Sequence, residues 1–219
     1  MTGFGGDGVP GTYTVPPDPT NTSRILPYAF RGCVQDGPFA NYILKMGPGL
    51  LNTEHCLTRG LNSSFTPYLT SSAVAQTLTF PTFNEFRVQL EGFLTPTFYP
   101  GAHIGGHSSA GGEMSNFFSS PGGQLFRTCR HITKNLLSFF LSSVDPTFFL
   151  HHANVDRIWW IWQQLSPSHF YEIGGPTSIY EPTGNLTYDF PLQMGDLGPT
   201  VSVGDVMNIQ SRANCFTYV

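Results

Sequence analysis

Apolar residues recur at helical spacing in two stretches of this chain. In "TFNEFRVQLEGFL", Phe83, Phe86 and Leu90 fall on one face, and Thr82 with Glu85 three residues on forms a capping box. A helix therefore opens after Thr82, with that face in the core. In "DPTFFLHHANVDRIWWIWQQ", from Asp145 to Gln164, aliphatic and aromatic side chains occupy most faces. Asp145 can accept backbone N–H groups and Pro146 suits the first helical position, which predicts a largely buried helix from Pro146 to about Leu165. A shorter helix is expected at "SSAVAQTL". Residues 1 to about 70 keep no sustained period, and glycine and proline recur through them. That pattern predicts an irregular region that wraps something or carries function. From Ser166 onward the chain returns to turns and short extended runs such as "TVSVGDV".

Composition narrows the class. Charged residues make up 11% of the 219, against a usual quarter or so, while 24 glycines and 18 prolines exceed the norm. This is a loop-rich globular chain, neither disordered nor coiled. A formal charge of −4 offers no basic face for nucleic acid, and the longest apolar run, "NLLSFFLSSV", is about half a membrane span. No signal peptide is visible at "MTGFGGDGVPG". Three glycosylation sequons, at Asn21, Asn62 and Asn185, favour a secretory origin. Cys33, Cys56, Cys129 and Cys215 show no C-x-x-C spacing.

The candidate chemistry lies in histidines. His103 and His107 stand four apart in "GAHIGGH", so on a helix both imidazoles project from one face. Two glycines between them weaken that helix, so something beyond intrinsic propensity must hold it. His152 sits on the long aromatic helix, with Asp156 one turn further along the same face. Three neutral imidazoles converging on one cation suit copper or zinc. A lone H-x-x-x-H is also compatible with hydrogen-bonded core histidines, and spacing does not separate the two metals.

The stretch "DPTFFLHHANVDRIWWIWQ" resembles the copper B helix of the tyrosinase and catechol oxidase family, whose pattern is D-P-x-F-x-L-H-H-x-x-x-D-R-x-W. "HIGGH" resembles the first copper B pair, "FRVQLEG" the helix before it, and "SSPG" the turn ahead of D-P. "TGFGGDGVPGTY", "CVQDGPFANYILKMGPG", "HCLTRGLNSSF" and the tail "GDVMNIQSRANCFTYV" are similar to segments of filamentous-fungal members. The resemblance implies a mainly α fold: a helical bundle around a copper site, with extensive loops and few short strands. It implies His103, His107 and His152 as copper ligands, His151 and Asp156 as supporting residues behind them, and Glu91 as the carboxylate that positions a water near the metal. It implies copper as cofactor, with a phenolic small molecule and O2 as partners. Ile104 stands where members with strong monophenol activity often carry Asn, which implies a preference for o-diphenols.

Two departures qualify the resemblance. Six histidines serve the coupled dicopper site of the family, yet of the seven here His55, His131 and His169 are isolated and match no copper A pattern. Residues 1–219 are therefore read as the C-terminal, copper B half, binding at most one ion. Residues 123–144 interrupt the resemblance between "SSPG" and "DPTFF" and read as an insert, which we hypothesise to be translated intron because "LLSFFLSS" is what a pyrimidine-rich tract encodes. Deleting it removes Cys129 and leaves Cys33 with Cys56 as the favoured disulfide. The reading is a copper oxidoreductase taking o-diphenols to o-quinones, against a non-catalytic remnant with a mononuclear site or, more remotely, a three-histidine zinc hydrolase with Glu91 as base. Peptides from 123–144 in abundance in the natural protein would exclude the intronic origin.

Overall fold

The computed structural model describes residues 3–19, 25–92, 99–116, 145–177, 184–194, 198–211 and 214–219. The suggested insert, residues 123–144, lies outside them. The architecture is mainly helical with few short strands, as expected. Among the described residues no helix is long and apolar enough to cross a membrane.

The region before residue 70 is more ordered than its missing periodicity predicts. Strand β1 (Gly8–Pro10) pairs antiparallel with β2 (Gly32–Val34); β3 (Ile43–Leu44) pairs with β4 (His55–Cys56); and β5 (Thr58–Arg59) completes a three-stranded sheet in the order β1-β2-β5. Strands of two or three residues are too short to show a period of two, which is why the pattern misses them. A Cys33–Cys56 disulfide joins β2 to β4, the favoured pairing.

Helices α1 (Ser71–Thr77) and α2 (Phe83–Glu91) fall where the capping signals put them. Thr70 accepts from Ala73 N, and Thr82 accepts from Glu85 N. Gly92 closes α2 at φ +84°, where a Cβ would stand 2.1 Å from the Pro100 carbonyl. Helix α3 (Gly101–Ala110) carries "HIGGH", and α4 (Thr147–Gln164) the double histidine. The glycines of α3 serve close approach. A Cβ on Gly106 would lie 2.1 Å from His151 Cε1, and one on Gly105 would lie 3.1 Å from Tyr68 Cβ. Contact with α4 on one side and with the turn Ser63–Leu69 on the other holds a helix whose composition disfavours it.

The core joins α2, α3 and α4 through Phe86, Leu90, Ala102, Val155, Ile158 and Trp162. The Trp162 ring stacks on Phe86 at 4.8 Å and on His169 at 3.9 Å, and its Nε1 donates to the Phe80 carbonyl at 2.8 Å. His169 is thus a packing residue. Helix α4 is not buried all round, however: Phe149 is 64% and Leu150 52% exposed. Its core face carries Phe148, Val155, Ile158 and Trp162. The run "TVSVGDV" also turns helical after two strand residues. Ser202 and Asp205 form a capping box that opens α5 (Val203–Val206).

A buried ion pair fixes the start of α4. Arg59 Nε and Nη2 donate to the two oxygens of Asp145 at 2.6 and 2.9 Å, with side-chain exposures of 4% and 0%. The same guanidinium donates to the carbonyls of Phe4, Gly5 and Gly6. Asp145 Oδ1 also accepts from Thr147 N at 2.9 Å, so one carboxylate caps the helix and neutralises the arginine. Removing one partner of a buried pair leaves the other uncompensated. Asp145→Ala is expected to lower unfolding stability by about 3–5 kcal/mol, read from the urea midpoint; a loss of about 1 kcal/mol or less would mean that the pair contributes only as a helix cap.

Candidate metal centre

Four imidazoles meet between α3 and α4. His103 Nδ1 donates to Glu91 Oε2 at 2.8 Å, and His107 Nδ1 donates to the Met114 carbonyl at 2.5 Å. Carboxylate and carbonyl oxygens are acceptors, so the proton of each ring sits on Nδ1 and the lone pair on Nε2. Those lone pairs face one another. His103 Nε2 lies 3.2 Å from His107 Nε2, which in turn lies 3.1 Å from His152 Nε2.

This arrangement tests whether a metal fits. The single lone pair of His107 Nε2 can accept from one neighbour at most, and His103 Nε2 has no proton to give. With His103 neutral, the contact between them sets lone pair against lone pair unless a cation, either a metal ion or a second proton, lies between them. Nitrogens each about 2.0–2.1 Å from an ion at tetrahedral to trigonal angles stand about 3.3–3.5 Å apart, close to the spacing here. A three-imidazole set of this kind suits copper or zinc.

His151 is the other neighbour. A nitrogen from each of His103, His107 and His151 lies within 4.8 Å of the others, so this is the trio with mutual metal-binding spacing, whereas the short nitrogen approach of His152 is to His107. His151 Nε2, however, donates to the His103 carbonyl at 2.9 Å, and its ring lies against Gly106, parallel to that of His103 at 5.8 Å. Among the described residues His152 Nε2 meets His107 Nε2 and no oxygen, and its ring stacks on Phe148 at 4.1 Å. His151 braces the two helices and lines a cavity with Ala102, Gly106, Asn154 and Val155.

Each of the two expected carboxylates has a bonded partner. Glu91 does not stand over the convergent nitrogens. It bonds the Nδ1 edge of His103, the edge away from them, because α2 ends behind α3. A carboxylate there fixes the ring's tautomer and raises its basicity. Asp156 accepts from Tyr218 Oη at 2.6 Å, which ties the tail to α4. Ile104 follows His103 on α3, half-buried. The sequence reading passed over Met114, whose contribution is a backbone carbonyl that no residue type reveals.

Burial disfavours the charged forms of His107, His151 and His152. Desolvation, followed by the charge of His103, pushes His151 down to about 4 and His152 to about 3, and His107 well below its usual value. His55 moves the other way. Desolvation is its largest influence and lowers it, but hydrogen bonding and attraction to Glu113 outweigh that and raise it. For a group depressed on folding, the unfolded chain takes up the proton first as pH falls. The metal-free fold is therefore most stable above about pH 6.5 and loses stability through the window down to about 4 and 3, where His151 and His152 protonate in place. The contribution of His55 is present at acid pH and lost as pH rises through its raised value. With three groups against one, the urea midpoint of metal-free protein is expected to fall between neutral pH and pH 5. A midpoint that rises over that range would show that the cluster is not buried neutral.

The sequence profile described as the common central domain of tyrosinase matches residues 3–165. Tyrosinase P of Aspergillus terreus is 28% identical over 92% of this chain and 56% of its own length. The N-acetyl-6-hydroxytryptophan oxidase of Emericella nidulans is 27% identical over 85% and 52%. A variant of the polyphenol oxidase from Thermothelomyces thermophila superposes with a TM-score of 0.71 at 26% identity, covering 99% of this chain and 59% of that one. The chain thus spans about half the length of the curated relatives it matches. With the profile spanning both helices that bear the clustered histidines, the chain belongs to the tyrosinase family of copper oxidoreductases.

Proposed function

We propose that this chain carries one copper site of an enzyme that oxidises o-diphenols to o-quinones with O2, and that His103, His107 and His152 hold the ion through Nε2. Members of this family act on phenolic compounds with O2, and family membership implies copper. The observation that supports the ligand assignment is that His107 Nε2 lies 3.2 Å from His103 Nε2 and 3.1 Å from His152 Nε2, with the Nδ1 atoms of His103 and His107 each bonded to an oxygen. Copper bound there supplies the electron chemistry between phenol and dioxygen.

The protein's share is orientation and exclusion of water. Glu91 and the Met114 carbonyl hold two rings in one tautomer, so neither turns away when substrate enters. The Phe148 ring covers one face of His152 and narrows its choice of rotamer. Ile104, beside His103, has no group to receive a phenolic proton. We take this to favour o-diphenols, which ionise more readily, over monophenols.

One copper per chain is the expected load. His55 and His169 are committed elsewhere, to Glu113 and to the Trp162 ring and carbonyl. That commitment also favours a second reading, a mononuclear metal-binding protein of the same fold with little oxidase activity of its own. Copper bound per chain after reconstitution and desalting tests the site, with oxidation of 4-methylcatechol measured alongside. About one copper in wild type, lost in His152→Ala and largely kept in His151→Ala, is the expected result. Retention in His152→Ala with loss in His151→Ala would move the third ligand to His151. Slow oxidation by a chain that holds one copper would favour the second reading.

A further inference from the structure

The turn that follows α3 rests on a buried polar node outside the ligand set. Glu113, 3% exposed, accepts at Oε1 from Thr58 Oγ1 at 2.8 Å and His55 Nε2 at 3.1 Å, and at Oε2 from Asn116 Nδ2 at 3.2 Å. Asn116 Oδ1 accepts in turn from Gly49 N at 2.8 Å. On the other edge of His55, Nδ1 meets the Thr53 hydroxyl at 2.9 Å and the Thr53 carbonyl at 3.2 Å, and that hydroxyl donates to the Gly47 carbonyl. Both nitrogens of His55 thus face acceptors, an arrangement that favours its protonated form beside the buried Glu113 carboxylate.

Burying such a pair costs desolvation, and an apolar pair of like volume often does as well for stability. Its placement suggests another use. Met114, the residue after Glu113, supplies the carbonyl that receives His107 Nδ1. Ser115 Oγ donates to the His107 carbonyl at 3.2 Å. Gly112 takes φ +49° with its Cα so close to β5 that a Cβ would stand 2.1 Å from the Thr58 carbonyl. The turn therefore lies flush on β5, Glu113 bonds it to β4 and β5 through His55 and Thr58, and Asn116 bonds the same carboxylate to the Gly49 loop.

We infer that Glu113 is a positioning residue for His107: three donors fix its carboxylate, the carboxylate fixes the turn, and the turn sets the carbonyl that aims His107 Nε2 at the metal. The inference rests on the reading of His107 as a ligand. It adds a requirement that the ligand list does not contain, a charge on the opposite side of the turn.

Glu113→Gln keeps the shape and replaces one acceptor oxygen with a donor facing His55 or Asn116. Copper(II) affinity is expected to fall roughly 10–100-fold, the range for residues that support ligands from behind, with a changed copper hyperfine splitting in the EPR spectrum. In the metal-free protein, nitrogen NMR should show His107 losing its single Nδ1–H tautomer and its Nδ1 proton exchanging faster. Val203→Ala, a core truncation on α5, should cost stability and leave both readouts as in wild type. Copper affinity within twofold of wild type together with an unchanged tautomer would overturn the inference. Should Glu113→Gln fail to fold, Asn116→Ala removes one donor to the same carboxylate, and an unchanged affinity and tautomer there overturn it equally. If wild type binds no copper, the ligand reading fails, and the tautomer in metal-free protein still decides whether Glu113 positions His107.

Discussion

The site depends on how closely α3 approaches α4. At Gly106 the two helices come near enough for the His151 ring to lie on bare backbone and to bond the carbonyl of His103. Any side chain at that point would separate the helices and pull His152 away from His107. The approach has a cost, since glycine inside a helix gives up about 1 kcal/mol relative to alanine. Packing against the Ser63–Leu69 turn and against α4 offsets that cost, so this helix is a product of tertiary contact more than of its own sequence.

The imidazoles brought together there differ in how they are held. His103 and His107 are each bonded at Nδ1, one to a carboxylate and one to a carbonyl, and their lone pairs are aimed before any ion arrives. His152 is held by the face of Phe148 and has more freedom to adjust. Two fixed donors and one compliant donor can receive an ion without moving either helix, and can follow a change in its preferred geometry by turning one ring.

Much of this was legible in the residues, for physical reasons. Caps at Thr82 and Asp145 act locally, so the starts of α2 and α4 could be read to within a residue. The i, i+4 spacing of His103 and His107 fixed which face they share, and the double histidine supplied a third nitrogen. The partners of the ligands were not legible. The Met114 carbonyl belongs to the backbone, Glu91 meets the Nδ1 edge of His103, and Asp156 is bonded by a tyrosine 62 residues away. Each of these depends on the path of the chain between elements. The small sheet was missed because strands of two or three residues leave no periodic trace.

The pair of Arg59 and Asp145 joins residues 86 apart in sequence. It makes the first turn of the metal-bearing helix contingent on the small sheet and on the segment at Phe4–Gly6, which the same guanidinium gathers in. Contacts of such long range close late in folding, after the loops between them have paid their entropy. The helix that carries His152 is therefore completely capped only when the sheet and the Phe4–Gly6 segment are in place around Arg59.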